Sequence, residues 1–332
     1  MNDKNLLGPW IRRFLLEYLV GERNLARNTQ ISYRDTLTLL LPFASKRTGI
    51  AIDRMTVEDL SPEVVRQFLD HLERDRQCTR VTRNQRLGTI HSLARFIGMR
   101  SPVHLSWCTE VRLVPFKKAD KTMIGYLEKV EMDALLRQPD RDTAIGLRDY
   151  VLLLFLYNSG ARADEVARLT IGDLHLGDPP AVRILGKGNK VRMCPLWPMM
   201  IPLLRNLVAG RGADQVVFLG RANKPLTRFG IHRLVTKYAA TASETVPSMA
   251  TRRISPHNIR HTSAVHLLRA GVDINTIRAW LGHVSLDTTN IYAEVDMEMK
   301  AKALASVDVS GLPVSPSHQR SLPSLMMFLR GL

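Results

Sequence analysis

Apolar side chains in the first hundred residues recur at intervals of three or four positions, and this spacing predicts helices. Trp10 and Phe14 mark the first of them. Ser61 and Pro62 open another, because proline is tolerated in the first turn of a helix. No strand-like alternation interrupts the pattern. Residues 10–100 are therefore expected to form a helical domain.

The pattern changes in the second half of the chain. The stretch from Leu147 to Tyr157 is apolar on every side, which predicts a buried central helix. From Val182 to Met193, apolar and polar residues alternate on both sides of a glycine-rich turn, which is typical of a β-hairpin. Helical spacing then resumes after Trp197. The expected fold class is mainly α, with a mixed α+β second domain that contains a small antiparallel sheet.

These patterns divide the chain into four parts. The helical domain is followed by a basic stretch without sustained periodicity, residues 101–123, which we interpret as a linker. A second domain is expected over residues 124–305. The tail, residues 306–332, begins as a flexible spacer and ends in an apolar segment too short to cross a bilayer. The apolar side chains of that segment need a protein surface against which they can be buried, either on its own chain or on a neighbouring subunit.

The net charge of +16 points to a polyanionic partner, with solubility alone as the alternative explanation. Between Arg74 and Arg100 the chain carries seven arginines and one acid, Asp75. Ordinary solvated helix faces carry charges of both signs. A segment whose charges are almost all positive therefore favours contacts with a phosphate backbone. The candidate DNA-contacting residues are Arg80, Arg83, Asn84 and Arg86, with Arg83, Asn84 and Arg86 expected to face away from the core, and Lys117 and Lys118 in the linker.

The positions of the cysteines and the lengths of the apolar runs argue against several classes of protein. Cys78, Cys108 and Cys194 lie far apart without CxxC spacing, so neither a disulfide framework nor a zinc site is expected. The first residues lead into no signal-peptide core. The longest apolar run, Tyr150 to Tyr157, has eight residues, far below the roughly 20 that span a bilayer. A cytoplasmic protein without membrane contact is expected.

Two basic residues lie beside glycine turns. Arg162 follows Gly160 directly after the predicted buried helix, so it is expected near the N-terminus of a new helix, where Glu165 could orient its guanidinium. Lys187 lies between two glycines in the hairpin turn, which lets the backbone approach a ligand closely. Lys190 is a weaker candidate on the same turn. Taken singly, each is also compatible with an ordinary surface residue.

A second cluster follows near the C-terminal end. Pro256 in a first turn places His257 at the N-terminus of a helix, and Arg260, three residues later, lies on the same face. An imidazole and a cation would then point towards one anion. His283 is predicted on a loop, and Tyr292 follows it on a short helix. A tyrosine alone is more often a core residue, but these surroundings favour a phenol that acts as a nucleophile.

Together these residues resemble the tyrosine recombinase (phage integrase) family, in its Xer-like branch. The arginine-rich helix of the N-terminal half resembles, more loosely, the family's core-binding, SAM-like domain. The order and separation of five motifs agree with the family over most of residues 124–296. The motifs are residues 159–166, 186–192, 257–261 and 281–283, followed by Tyr292.

The resemblance implies a reaction and a role for each residue. Tyr292 would attack the scissile phosphate to form a 3′-phosphotyrosyl bond, while Arg162 and Arg260 clamp the phosphate oxygens. Lys187 would protonate the leaving 5′ oxygen. His257 would manage the tyrosine proton, and His283 would hydrogen-bond the phosphate. No cofactor, metal or ATP is expected, and the sequence contains no Walker-type glycine-rich loop.

The family also implies the partners: double-stranded DNA, a tetramer on two sites, and in some systems sister recombinases or accessory DNA-bending proteins. Two other functions remain open at this point. One is a type IB topoisomerase-like enzyme that nicks and closes DNA. The other is a non-catalytic DNA-binding accessory protein of the same fold.

Overall fold

The computed structural model describes residues 5–119 and 125–282. The chain forms two compact units, Met1–Thr122 and Met123–Leu332. The expected mainly helical fold with a small antiparallel sheet is confirmed. Within the described ranges, no helix combines the length and apolar character needed to cross a membrane.

The N-terminal unit is built from helices around one apolar core. The interior holds Phe14, Phe68 and Phe96, all essentially without exposed surface. The first helix continues beyond Arg13 in wider π-helical turns, Phe14–Glu22. The helices are α1 (Leu7–Arg13), α2 (Arg27–Thr48), α3 (Pro62–Arg74), α4 (Arg80–Gly98) and α5 (Leu105–Arg112).

Local sequence signals explain where two of these helices begin. The hydroxyl of Ser61 accepts a hydrogen bond from the backbone N–H of Val64 at 3.3 Å, and proline occupies the next position, Pro62. The hydroxyl of Thr79 accepts from the N–H of Thr82 at 3.3 Å and so caps α4. Both caps satisfy donors that the first turn of a helix leaves without partners.

The stretch interpreted as a linker contains the helix α5. Trp107, Cys108 and Val111 of this helix are buried in the core of the N-terminal unit. The indole N–H of Trp107 donates to the carbonyl oxygen of Leu60 at 2.9 Å. Because only three of its eight positions are buried, α5 lacks the long periodic run by which a sequence reveals a helix.

The expectation that Arg83 faces outwards is wrong. Its side chain is buried, and Nη1 donates to the carbonyl oxygen of Pro115 at 2.9 Å and to Oδ1 of Asn84 at 3.0 Å. The Asn84 amide in turn pairs with the backbone of Lys117 through both its nitrogen and its oxygen. Arg83 and Asn84 therefore fasten the segment that follows α5 onto α4.

The other candidate DNA-contacting residues are more accessible. Arg80 and Lys118 are exposed. Lys117 is exposed and pairs with the carboxylate of Glu73. Arg86 is half-buried, with Nη1 3.6 Å from the sulfur of Cys78. Arg80, Lys117 and Lys118 are thus the members of this set with the most surface to offer a phosphate backbone.

The second unit packs around the predicted buried helix, which the structure confirms as α7. Val151, Leu152, Leu153 and Phe155 have no exposed surface. The unit contains α6 (Lys129–Arg137), α7 (Ala144–Ser159), α8 (Ala163–Ala167), α9 (Met200–Val208), α10 (Arg228–Thr245), α11 (Pro256–Arg269) and α12 (Ile274–Leu281).

The predicted hairpin is confirmed within a three-stranded antiparallel sheet, β1 (Leu174–His175), β2 (Ala181–Leu185) and β3 (Val191–Pro195). Leu185 pairs with Val191 next to the turn, and Ile184 pairs with Arg192. Because residues directly opposite each other in an antiparallel pair point to the same face of the sheet, Arg192 lies on the same face as the buried Ile184.

The ends of α11 and α12 follow the sequence signals. Gly271, at φ +85°, lies just after α11, and Asp273 caps α12 by accepting from the N–H groups of Asn275 and Thr276. Gly282 ends α12 in the left-handed conformation at φ +67°. The chain is thereby turned at the residue that precedes His283.

Candidate active site

Arg162 projects from the turn between α7 and α8. Gly160 ends α7 at φ +57°, and Arg162 then occupies the position before the first residue of α8. The Glu165 carboxylate accepts from the backbone N–H of Arg162 through Oε2 at 2.9 Å and from its Nη1 through Oε1 at 2.8 Å. The arginine side chain remains 41% exposed. Its guanidinium is therefore oriented without being covered.

Arg260 comes to the same region from α11 and is almost completely buried, with 1% of its surface exposed. Nη1 donates to the carbonyl oxygen of Gly160, and Nη2 donates to that of Leu281, each at 2.6 Å. A buried cation without such partners would carry a large desolvation cost. The fork geometry of a guanidinium fits two acceptors in different directions, as it does here.

His257 lies in the first turn of α11, as predicted. Ser255 and Asn258 fix this turn, since Oδ1 of Asn258 accepts from both the N–H and the hydroxyl of Ser255, at 2.9 and 2.7 Å. Partial burial of its imidazole, followed by the positive charges of Arg260 and Arg162, lowers the pKa of His257 below its ordinary 6.5. This shift favours the neutral form of the ring, which can accept a proton.

The turn that carries Lys187 lies against Glu165. The backbone N–H of Gly186 donates to the carbonyl oxygen of Lys190 at 2.8 Å and closes the turn, in which Gly188 has φ +72°. A Cβ added to Gly186 would lie 3.3 Å from Oε1 of Glu165. The hairpin turn and the Arg162 turn are thus neighbours, and both lie close to the Glu165 carboxylate.

His283 and Tyr292, the predicted phosphate ligand and nucleophile, lie outside the described residues. The carbonyl oxygen of Leu281, two positions before His283, accepts from Arg260. The structure therefore brings Arg162, Glu165, His257 and Arg260 together with the backbone of the Lys187 turn and the last residues before His283.

Sequence reasoning missed one residue of this cluster, Arg192 on β3. Its side chain is 8% exposed; Nη2 donates to Oε2 of Glu165 at 2.7 Å, and Nε donates to the carbonyl oxygen of Trp280 at 2.9 Å. The sequence feature that could have identified Arg192 is the alternation along β3, which places this arginine on the inward face with Cys194. A basic residue at an inward position needs a partner inside.

Glu165 is the anionic centre of the cluster. Burial on its own would raise the pKa of this carboxyl, but the hydrogen bond and charge of Arg192, together with the amide and guanidinium of Arg162, outweigh burial and hold it below the usual value. The carboxylate is therefore ionised at neutral pH. It binds two arginines at once and sets their mutual position.

Comparisons with known proteins show the family to which the chain belongs. The profile of the phage integrase family matches residues 125–299, and that of the phage integrase N-terminal SAM-like domain matches residues 11–100. The protein y4rC of Sinorhizobium fredii, itself an inferred integrase/recombinase, is 35% identical over 330 residues, 98% of each chain. Tyrosine recombinase XerD of Yersinia pestis is 32% identical over 298 residues, 87% of this chain and 94% of that protein.

Solved structures share the fold at lower sequence identity. The XerH site-specific recombinase in its post-cleavage complex with a palindromic difH substrate has a TM-score of 0.65 at 19% identity, covering 86% of this chain and 81% of that one. A lambda integrase dimer bound to a COC′ core site has a TM-score of 0.66 at 14% identity, covering 96% and 82%. The chain therefore belongs to the phage integrase family and is an enzyme of the tyrosine-recombinase type.

Proposed function

We propose that this enzyme breaks and rejoins duplex DNA at specific sites through a covalent 3′-phosphotyrosyl intermediate on Tyr292, without metal or ATP. The observation that carries the proposal is the convergence of Arg162, Arg260 and a neutral His257 on one region of the second unit. Two fixed cations beside a proton acceptor are what a phenol needs in order to attack a phosphodiester.

The proposed step conserves atoms and charge. The Tyr292 oxygen attacks phosphorus, so an O–P bond to the phenol forms and the bond from phosphorus to the 5′ oxygen breaks. His257 takes the phenol proton, and Lys187 gives a proton to the departing 5′ oxygen. A free tyrosine has a pKa near 10, so a positive environment and an acceptor are required at neutral pH. Reversal by a 5′-hydroxyl rejoins the strand without ATP.

Arg162 and Arg260 stabilise the charge that builds up on the non-bridging oxygens. Removal of one such fixed donor typically costs about 100- to 1000-fold in rate. In this proposal His283 supplies a further hydrogen bond to the phosphate. Because the two cations carry the transition-state charge, the step requires no metal.

Double-stranded DNA is the proposed substrate. The net charge of +16 favours a polyanion, and the XerH and lambda integrase structures named above were solved with DNA. We further propose that protomers assemble as a tetramer on two sites, with the apolar end of residues 306–332 docking on a neighbouring subunit. Deletion of residues 312–332 should then weaken assembly on paired sites and leave binding to a single site unchanged.

The test uses supercoiled plasmid that carries the DNA flanking this gene, incubated with protein and quenched with SDS. Wild type should form protein–DNA adducts, and Tyr292→Phe, which lacks one oxygen atom, should form none while it binds the same fragments in gel shifts. Tyr126→Phe is the matched control. DNA binding without adducts from either protein would favour a non-catalytic accessory role, and relaxation of plasmid without any site would favour a topoisomerase-like enzyme.

A further inference from the structure

Arg192 contacts two parts of the second unit that carry or precede predicted functional residues, and it belongs to a third. It extends from β3, the strand that follows the Lys187 turn. Its Nη2 donates to Glu165 at 2.7 Å, and its Nε donates to the Trp280 carbonyl oxygen at 2.9 Å. Only 8% of its side chain is exposed, so solvent cannot replace either contact without rearrangement.

The contact with Glu165 reaches Arg162 indirectly. Oε1 of the carboxylate binds the Arg162 guanidinium, while Oε2 binds Arg192 and the Arg162 amide. The carboxylate is 2% exposed, so loss of Arg192 would leave a buried anion with one cation fewer. The orientation of Arg162 would then depend on a carboxylate that is itself no longer fixed.

The contact with Trp280 reaches the end of α12. The last carbonyls of a helix have no partner within the helix, and Arg192 supplies a donor to one of them. Gly282, two residues on, lies against the same side chain, since an added Cβ would lie 3.1 Å from Cδ of Arg192. Arg192 thus fixes the backbone immediately before His283.

We propose that Arg192 is a positioning residue for DNA cleavage, one that sets Arg162, the Lys187 turn and the peptide before His283 relative to one another. It acts through Glu165 and the Trp280 carbonyl. This inference rests on the proposed function, because it assigns a role in the same reaction.

Lysine cannot replace this side chain. An ammonium group can neutralise Glu165, but it is a single point and cannot also donate in the fixed second direction that Nε takes towards Trp280. Arg192→Lys should therefore keep much of the stability and lose much of the rate. Arg192→Gln should lose both.

The experiment compares wild type, Arg192→Lys, Arg192→Gln and Arg183→Gln. Arg183 is the matched control because it lies on the neighbouring strand of the hairpin, its side chain is 52% exposed, and it pairs with Asp173 rather than with Glu165. Adduct formation is measured in single turnover at saturating DNA, and affinity by gel shift. A misplacement of about 1 Å remote from the chemistry can cost about 100-fold, which is the loss expected for Arg192→Gln, with unchanged affinity. Arg183→Gln should match wild type.

A double variant separates positioning from charge balance. Arg192→Gln combined with Glu165→Gln removes the cation and the anion together, so the melting temperature should recover towards wild type. The cleavage rate should stay low, because the connection between Arg162 and Trp280 is still absent. Recovery of both quantities would show that Arg192 only neutralises Glu165 and would overturn the proposal, as would wild-type cleavage by both single variants.

Hydrogen exchange supplies a measurement that does not depend on cleavage. Peptides covering residues 274–282 should exchange faster in Arg192→Gln than in wild type, whereas peptides from α3 should not change. If wild type itself forms no adduct, the proposed function fails, but this readout still decides whether Arg192 holds the end of α12. Unaltered exchange in that region would contradict the positioning role.

Discussion

The guanidinium of Arg260 donates from Nη1 to the carbonyl oxygen of Gly160 at 2.6 Å, across 100 positions of sequence. The other terminal nitrogen donates to the carbonyl oxygen of Leu281 at the same distance. Gly160 ends α7 just before Arg162, and Leu281 ends α12 just before Gly282. One buried side chain therefore joins the two helix ends that border the candidate active site.

Replacement of Arg260 by lysine should lower both activity and stability. A lysine cannot satisfy both carbonyls, and a buried acceptor that loses its donor costs about 1–3 kcal/mol in the free energy of unfolding. In the proposed mechanism Arg260 also stabilises the phosphate, so its replacement should reduce adduct formation by about 100-fold or more. Urea unfolding and SDS-quenched cleavage measure the two effects. The exposed Arg253 provides the control Arg253→Lys, which should leave both quantities unchanged.

Gly160→Ala should destabilise the second unit more than the same change at Gly210. Both glycines have positive φ, +57° and +72°, so each substitution carries a backbone cost of about 1–2 kcal/mol. Only at Gly160 would the new methyl group also collide, since it would lie 2.4 Å from Cδ2 of Leu281, whereas Gly210 has open space. Overpacking adds about 1–3 kcal/mol. Equal losses for the two variants in urea unfolding would show that the contact with Leu281 is relaxed in solution.

The elements around the site could be predicted because their signals are local. Glycines at positive φ end α7 and α12, and Ser255 with Pro256 starts α11, each within a few residues of sequence. These local signals are sufficient to predict that Arg162 and His257 lie at the starts of helices. The buried α7 could be predicted equally well, because a stretch that is apolar on all sides and too short to span a bilayer is typical of a helix inside a globular core.

Contacts between distant residues could not be predicted in the same way. Arg83 has the same sequence surroundings as its exposed neighbours, and it is buried because Pro115, 32 positions away, offers a carbonyl oxygen. Arg192 pairs with Glu165 and Trp280, which are 27 and 88 positions distant. No local pattern reveals which arginine will find an internal acceptor, so charge alone predicted solvent exposure for Arg83 and left Arg192 unassigned.

The charge state of His257 gives a prediction about pH. Partial burial, then the charges of Arg260 and Arg162, hold its pKa below 6.5 in the folded protein. The unfolded chain therefore binds this proton first as pH falls, so the contribution of His257 to stability is full above pH 6.5 and is lost as pH falls through the folded pKa. An NMR titration of the ring, assigned with His257→Asn, should give a value below 6.5.

Removal of a neighbouring cation should move that titration. In Arg162→Gln the pKa of His257 should rise towards 6.5, because one of the positive charges that oppose protonation is gone. The exposed Arg183→Gln provides the comparison and should leave the titration in place. An unchanged pKa in Arg162→Gln would mean that the two side chains do not share one electrostatic environment, and the proposed convergence on a single phosphate would lose its main support.

Because Arg83 is buried, its replacement should affect the stability of the N-terminal unit and not the salt dependence of DNA binding. Burial lowers the pKa of this guanidinium, which the carboxylates of Glu73 and Asp70 partly counteract, and its donors are used by Pro115 and Asn84. Arg83→Met should therefore reduce the free energy of unfolding by about 1–3 kcal/mol. It should leave the salt dependence of DNA affinity unchanged, since a buried donor releases no counterion from the backbone.

Lys118→Ala should behave in the opposite way. Lys118 is exposed, so its loss should not alter urea unfolding. If its ammonium contacts a phosphate, the slope of log affinity against log salt should become shallower by about one, uniformly across DNA sequences. Gel shifts of both variants over a range of salt concentrations make the comparison. A reduced slope for Arg83→Met with normal stability would return that residue to the DNA-contacting set, because only a side chain that reaches the backbone changes the number of released counterions.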